Sequence, residues 1–271
     1  MSNERQKNSA EHSVRITDAA HKNHDELFPG HVSTLAVTDP ELIETFDNFA
    51  FDEVLRHGNL DARTRLMVQL ASMIASQALR EYRVMLGAAL TIGVTPVQVK
   101  EIVYQAVPYV GMAKVFDFIH ATNDVLTERG VDLPLPGQST TTPESRAEKG
   151  LAVQKQIIGS DVVEKLYASA PEDQLHIQRY VSAHCFGGHY TRTGIDVPTR
   201  ELLTFSMLVS LGGCEAQVKG HVAANLNVGN DRARLIDVLT QLLPFIGYPR
   251  TLNALRVVDE VTATPKSKET L

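Results

Sequence analysis

The sequence predicts an all-α fold built from two tandem copies of one helical unit, and three observations carry that prediction. Apolar residues recur at three- and four-residue spacing along most of the chain, and no stretch alternates as a half-buried strand would. Asp, Thr or Asn precedes the apolar runs, Pro sits just inside several of them and Gly follows, which is helix punctuation. The two halves also align with each other. NLDARTRLMVQLASMIASQ (59–77) sits beside GIDVPTRELLTFSMLVSLG (194–212), and GVTPVQVKEIVYQAVPYVGMAKVFDFI (93–119) beside GNDRARLIDVLTQLLPFIGYPRTLNAL (229–255). Gln105, Pro108 and Gly111 match Gln241, Pro244 and Gly247, with an offset of 135 in the first block and 136 in the second. One residue is therefore inserted in the turn at Gly212 and Gly213.

In chain order, residues 1–15 read as a disordered polar tail without the apolar core of a secretory signal and without a lipidation motif. The first copy spans 16–130, with 38–56 a weak helical segment and Thr95–Pro96 a helix start. Residues 131–147, VDLPLPGQSTTTPESRA, are rich in Pro, Ser and Thr and form the linker. The second copy spans 148–262, followed by a tail over 263–271. Helices are predicted over 148–158, 172–184, 199–211 and 214–227. Asp196 or Thr199 caps the third of these, and Gly212 with Gly213 ends it. Asn230 and Asp231 cap the next helix, and Pro249 opens a last one that turns Leu252, Leu255 and Val258 inward. Pro108 and Pro244 kink or end the third helix of each copy, because proline removes an amide donor. The helix 199–211 is apolar nearly all round, so it is expected to be buried against the sister copy and other subunits.

The totals narrow the class. A chain of 271 residues that is 43% hydrophobic has the material for a core, which excludes disorder throughout. Its longest apolar run, Leu202 to Leu211, is interrupted by Thr204, Ser206 and Ser210 and falls short of the roughly 20 residues that span a bilayer. No membrane role is expected. Lys and Arg are scattered and the net charge is −6, so no nucleic-acid footprint exists. Cys185 and Cys214 are the two cysteines, without CxxC or finger spacing, which argues against a disulfide framework or a structural zinc. A cytoplasmic location is the default, and the expected partner is a small molecule or another protein chain.

Both halves resemble the carboxymuconolactone decarboxylase family, whose fold is shared with the AhpD-like alkylhydroperoxidases. In the second half the resemblance runs from Arg146 to Val261 through AEKGLAVQKQIIG, HCFGGHYTRTGIDVPTRELLTFSMLVSLGGCEAQVKGH, NVG and PFIGYPRTLNALR. In the first it is fainter, covers 16–128 and rests on LDARTR, IGVTPVQVKEIVYQAVPYVG and the helix after it. The resemblance implies a hexameric ring of single-domain chains, which a tandem chain reaches as a homotrimer forming a pseudo-hexamer.

Cys214, Gln217, His221 and Asn225 are spaced three, four and four apart, which puts them on one helix face. Such a stripe either faces solvent or lines a site, and spacing leaves both open. The resemblance places the site on this helix, with His221 on the histidine of the CxxCxxxH-type motif. It also sets Glu201 on a proton-relay glutamate of AhpD-like members and His184 on a histidine of decarboxylase-type members. In the first copy Leu66, Met85 and Phe49 stand at the positions of Glu201, His221 and His184, as in a site abandoned in one copy and kept in the other.

The implied reaction is the cofactor-independent decarboxylation of a small lactone or cyclic carboxylic acid, of the 4-carboxymuconolactone type. His221 and His184 suit proton transfer, since imidazole titrates near neutral pH, and Glu201 suits orienting a histidine. Arg192, Arg200 and Lys219 are candidates for holding carboxylates, with Gln217 and Cys214 as further substrate contacts. Arg200 recurs as Arg65 and Lys219 as Arg83 in the depleted copy, which favours a scaffold role for both, whereas His57 takes the place of Arg192. Two imidazoles and a carboxylate could hold a metal, but no HxH or HExxH spacing supports it and the family needs none, so no metal or cofactor is expected. A rival reading is an alkylhydroperoxidase-type oxidoreductase using Cys214. Gln217 occupies the place of its second cysteine, and Cys185 is the remaining candidate to resolve a sulfenate. The other rival is a non-catalytic oligomeric binding protein.

Overall fold

The computed structural model describes residues 15–263, and all regular structure among them is helical. Residues 1–14 and 264–271 of the two expected tails lie outside the described residues. The described residues through His57 form one compact unit and those from Gly58 a second.

The first unit holds α1 (Asp18–Leu27), α2 (Leu35–Thr38) and α3 (Pro40–Asn48), then a π turn over Phe49–Glu53 and a 3₁₀ turn over Val54–Arg56. Thr17 caps α1 by accepting from the Ala20 amide at 3.1 Å and donates its hydroxyl to Asp52 at 2.8 Å. The segment expected as one weak helix over 38–56 thus takes three helical pitches, with Pro40 restarting it at a first-turn position.

The second unit holds α4 (Ala62–Ala75), α5 (Leu79–Thr91), α6 (Pro96–Val110) and α7 (Met112–Glu128) from the first copy. From the second copy come α8 (Arg146–Ile158), α9 (Ser160–Ser169), α10 (Leu175–Tyr180), α11 (Val197–Leu211), α12 (Glu215–Asn227), α13 (Arg232–Ile246) and α14 (Tyr248–Thr262). The same carboxylate caps both central helices: Asp61 accepts from the Thr64 amide at 3.0 Å and Asp196 from the Thr199 amide at 2.8 Å. Asp196 rather than Thr199 is therefore the cap, and α11 begins two residues earlier than expected. Thr95 and Gln98 close a capping box on α6. Asp231 alone caps α13. Asn230 is buried instead, donating to the Pro198 carbonyl and to Asn225 Oδ1, both at 2.9 Å. Pro108 and Pro244 lie inside α6 and α13, which run two residues further and stop at Gly111 (φ 90°) and Gly247 (φ 76°). A positive φ there suits a residue without Cβ.

Helix α9 had no counterpart among the sequence-based expectations, and 172–184 is not one helix. It is a 3₁₀ turn (Glu172–Gln174), then α10, then a ten-residue π-helical stretch, Val181–Tyr190. This stretch packs on α8 through glycines. A Cβ on Gly150 would collide with the Ser182 carbonyl and the Gly187 backbone, and one on Gly187 with the Arg146 carbonyl. Backbone cannot yield as a flexible side chain can, so Gly150→Ala is expected to lower stability by about 1–3 kcal/mol, the range for overpacking. Gly188→Ala, with no heavy atom near its added Cβ, serves as the control in the same thermal unfolding experiment and should stay near wild type.

The two copies share one core. Helices α4 and α11 pack together at the centre, with α6 and α13 each touching both. The Ser72 and Ser210 hydroxyls meet at 2.7 Å in the buried seam, and Gln69 donates to the Gln241 carbonyl at 3.1 Å. Ser206 and Ser210 return their hydroxyls to the Leu202 and Ser206 carbonyls, which lets polar residues ride in a fully buried helix. The 131–147 linker is tied down along its second half. The Thr193 amide donates to the Gln138 carbonyl at 3.0 Å, Thr140 to the Thr191 carbonyl at 2.7 Å and Thr141 to the Gly187 carbonyl at 2.8 Å. Among the described residues no helix is long and apolar enough to cross a membrane.

Candidate functional site

The Asp196 cap fixes the register of α11 and so buries Glu201 completely one turn further on. Gly212 and Gly213, both left-handed (φ 70° and 69°), reverse the chain into α12. That helix lays His221 against Glu201, with Nδ1 to Oε2 at 2.8 Å. Asn225, one turn on, donates to the His221 carbonyl at 2.7 Å and to the Glu201 carbonyl at 3.2 Å, pinning the two helices together. The other ring nitrogen, Nε2, is not engaged by Glu201. Glu201 Oε1 is buried and makes no hydrogen bond. An open acceptor in the interior is the exception among buried polar atoms.

The other wall comes from the first copy. Tyr109 on α6 meets the His221 ring edge-on, with centroids 5.6 Å apart. Its hydroxyl contacts that of Tyr190 at 2.9 Å and accepts from the Cys185 thiol at 3.6 Å. Tyr190 continues to Thr204 at 2.8 Å, and Gln105 donates to Thr204 at 3.2 Å. Arg200 then donates to Gln105 Oε1 at 3.0 Å and to Glu101 at 2.8 Å. Arg192 closes the series on Glu101 through Nε and Nη2, the latter at 2.8 Å. A buried polar chain thus links Arg192 to the side of His221.

Burial sets the electrostatics. It pushes the Tyr109 and Tyr190 phenols well above their usual range, and the Cys185 thiol up to about 11, against the hydrogen bond to Tyr109. Burial and the neighbouring Glu215 also raise Cys214. His189 is held down to about 4, first by burial and then by Arg192 and Arg200, so it is neutral at physiological pH.

The structure brings Glu201 and His221 together, keeps Gln217 on the same helix as His221, and does not bring His184, Cys214, Arg192 or Arg200 to them. His184 is exposed, its ring edge-on to Tyr180 at 5.6 Å, and hydrogen-bonds neither Glu201 nor His221. Cys214 is not on the helix face with His221. It precedes α12 in a non-helical conformation (φ −133°), because the double-glycine turn ends there, and its thiol donates to the Leu208 carbonyl at 3.2 Å. Gln217 is exposed one turn before His221. Arg200 is wholly buried and occupied by Glu101, Gln105 and the carbonyls of Arg192 and Thr193, so it presents nothing to a substrate. Lys219 lies 3.7 Å from Glu260 on the surface. In the depleted copy, Leu66 and Met85 are both buried.

Sequence reasoning missed Tyr109, Tyr190, Gln105 and Glu101. A signal for the tyrosines existed, since the equivalent positions hold Phe245 and Leu55. Tyr109 is the polar member of its pair and lies in the first copy, opposite to the pattern at Glu201, His221 and His184. Among the described residues no three His, Cys, Asp or Glu side chains gather as a metal site would require.

Comparison with known proteins gives the same assignment for both copies. The carboxymuconolactone decarboxylase family matches residues 40–124 and 176–260. The 4-carboxymuconolactone decarboxylase of Acinetobacter baylyi is 25% identical over 118 residues, 44% of this chain and 87% of that protein. With one matched segment in each copy and more than half of the sequence covered, the chain belongs to the carboxymuconolactone decarboxylase family.

Proposed function

We propose that this chain is a cofactor-independent decarboxylase of a small lactone or cyclic carboxylic acid, with His221 transferring the proton and Glu201 holding it in place. The observation that carries the reading is the buried Glu201–His221 pair, bordered by Tyr109 from the sister copy. In the reaction the bond from ring carbon to carboxylate breaks and CO₂ leaves. The electron pair delocalises into the conjugated lactone, and carbon takes a proton from His221 Nε2. His221 then recovers a proton from solvent. Glu201 stabilises the imidazolium needed at the outset, as a buried carboxylate beside a histidine does. Gln217, on the same helix face one turn earlier, is the amide available to the substrate carboxylate, while Arg200 is scaffold. His184, beside Tyr180 at the surface, stands outside this reaction centre. A homo-oligomeric working state belongs to the proposal, supported by the exposed apolar Val162, Leu166, Ile177 and Tyr180.

The thiol-peroxidase reading draws no support from the two cysteines. Both thiols are raised and protonated at neutral pH, whereas attack on a peroxide needs the thiolate. The test is CO₂ release from 4-carboxymuconolactone by wild type and Cys214→Ser, with peroxide consumption measured in parallel. Equal CO₂ release by both proteins is expected, with no thiol-dependent loss of peroxide. Absence of CO₂ release together with peroxide consumption that disappears in Cys214→Ser would reverse the assignment.

A further inference from the structure

Beside the buried chain, but lined by neither Glu201 nor His221, lies a cleft of about 320 Å³ between α6, α7 and the linker. That volume falls in the range of small-molecule sites. Helix α6 supplies Lys100, Glu101 and Tyr104 at helical spacing, α7 supplies Asn123, and residues 133–138 of the linker form an apolar wall rich in Leu and Pro. The linker is held there by the Thr193 amide on the Gln138 carbonyl.

The charges do not balance. Lys100 and Arg192 line the cleft against a single acid, Glu101, and Glu101 is also claimed by buried Arg200. The two exposed-side cations stand over the Tyr104 ring, Lys100 Nζ at 5.4 Å and the Arg192 guanidinium at 5.2 Å from its centroid. Each keeps unspent donors. Lys100 donates to Asn123 at 2.6 Å with one of its three N–H groups, and Arg192 engages Glu101 through Nε and Nη2, leaving Nη1 without a partner among the described residues. Surplus positive charge beside one aromatic face and an apolar wall fits a flat molecule carrying one carboxylate.

We propose that this cleft, walled by α6 and α7 of the first copy and the linker and closed by Arg192 of the second copy, is a second ligand site for a small planar carboxylate such as an aromatic acid. The second copy cannot repeat it, because Ile236 and Thr240 stand where Lys100 and Tyr104 do, and His57 where Arg192 does. The cleft is therefore not the relic of the abandoned Glu201–His221 site.

Calorimetric titration with benzoate tests this, using benzamide as the uncharged analogue and acetate as the charge without a ring. The proteins are wild type, Lys100→Met and His221→Ala, each checked for a native thermal transition. Expected is saturable benzoate binding to wild type and equally to His221→Ala. Lys100→Met should weaken it about tenfold, the loss of one charge-assisted contact, and benzamide and acetate should bind far more weakly. Three results would overturn the proposal: no saturable benzoate binding, acetate binding as well as benzoate, or binding that survives Lys100→Met and is lost in His221→Ala. The last would place benzoate at the Glu201–His221 pair. If His221→Ala fails to fold, His221→Gln replaces it in the same comparison. None of these outcomes depends on turnover, so the site can fail while the decarboxylase reading stands.

Discussion

His221→Gln is expected to lower kcat for CO₂ release by about 10²–10⁴, the usual contribution of a positioned acid–base group, with KM little changed. The substitution is chosen so that the fold survives it. Glutamine keeps an N–H for Glu201 Oε2, the contact that now measures 2.8 Å, but its amide does not serve as a general acid or base at neutral pH. His221→Ala would confuse the matter, because it strands the wholly buried Glu201 carboxylate, whose second oxygen already lacks a partner. Glu201→Gln is the matching change on the other side. It preserves volume and hydrogen bonding, removes the charge that stabilises imidazolium, and should also depress kcat. The measurement is steady-state CO₂ release at saturating substrate, with unfolding midpoints recorded for each variant. A His221→Gln enzyme that turns over like wild type would remove His221 from the proton path.

Local chemistry was readable from the sequence where one residue acts on its own neighbours. Asp196 and Asp231 as caps, the Thr95–Pro96 start and the Gly212 stop of α11 need nothing beyond four or five residues of context. The scaffold role of Arg200 was visible too, because a residue kept as Arg65 in the copy without a site is doing something other than chemistry. Faces were harder. The stretch Val181–Tyr190 is wound as a π helix, so assigning sides at 3.6 residues per turn fails there. Within that stretch His184 ends at the surface while Tyr190 is buried against Thr204. The family resemblance, which carries no face, is what sets His184 in the site. Tyr109 was legible only as the polar member of its pair with Phe245; its position beside His221 depends on α6 of one copy packing against α11 of the other, a contact that no single-copy pattern encodes. Nothing in the sequence signals that Glu101 meets two arginines, Arg192 and Arg200.

Glu101→Ala is the substitution expected to cost the most stability, about 3–5 kcal/mol, the range for removing one partner of a buried ion pair. Glu101 is 1% exposed and Arg200 not at all, so water screens neither charge. Taking the carboxylate away leaves Arg200 with Gln105 and two backbone carbonyls, all neutral, and leaves Arg192 beside it with like charge. The surface pair Arg83–Asp124 gives the contrast: at a similar 3.0 Å, but with side chains 38% and 58% exposed, it should lose only about 0–1 kcal/mol in Arg83→Ala. Denaturant unfolding of the two single variants reads this difference directly. Adding Arg200→Met to Glu101→Ala should recover part of the loss, since one stranded cation leaves with its partner and an apolar side chain of comparable length fills the space. If Glu101→Ala instead unfolds within 1 kcal/mol of wild type, in line with the surface-pair range, the arginines find other partners. The polar chain running from Glu101 through Gln105 and Thr204 to Tyr109 would then not be what holds α6 of one copy in register with α11 of the other.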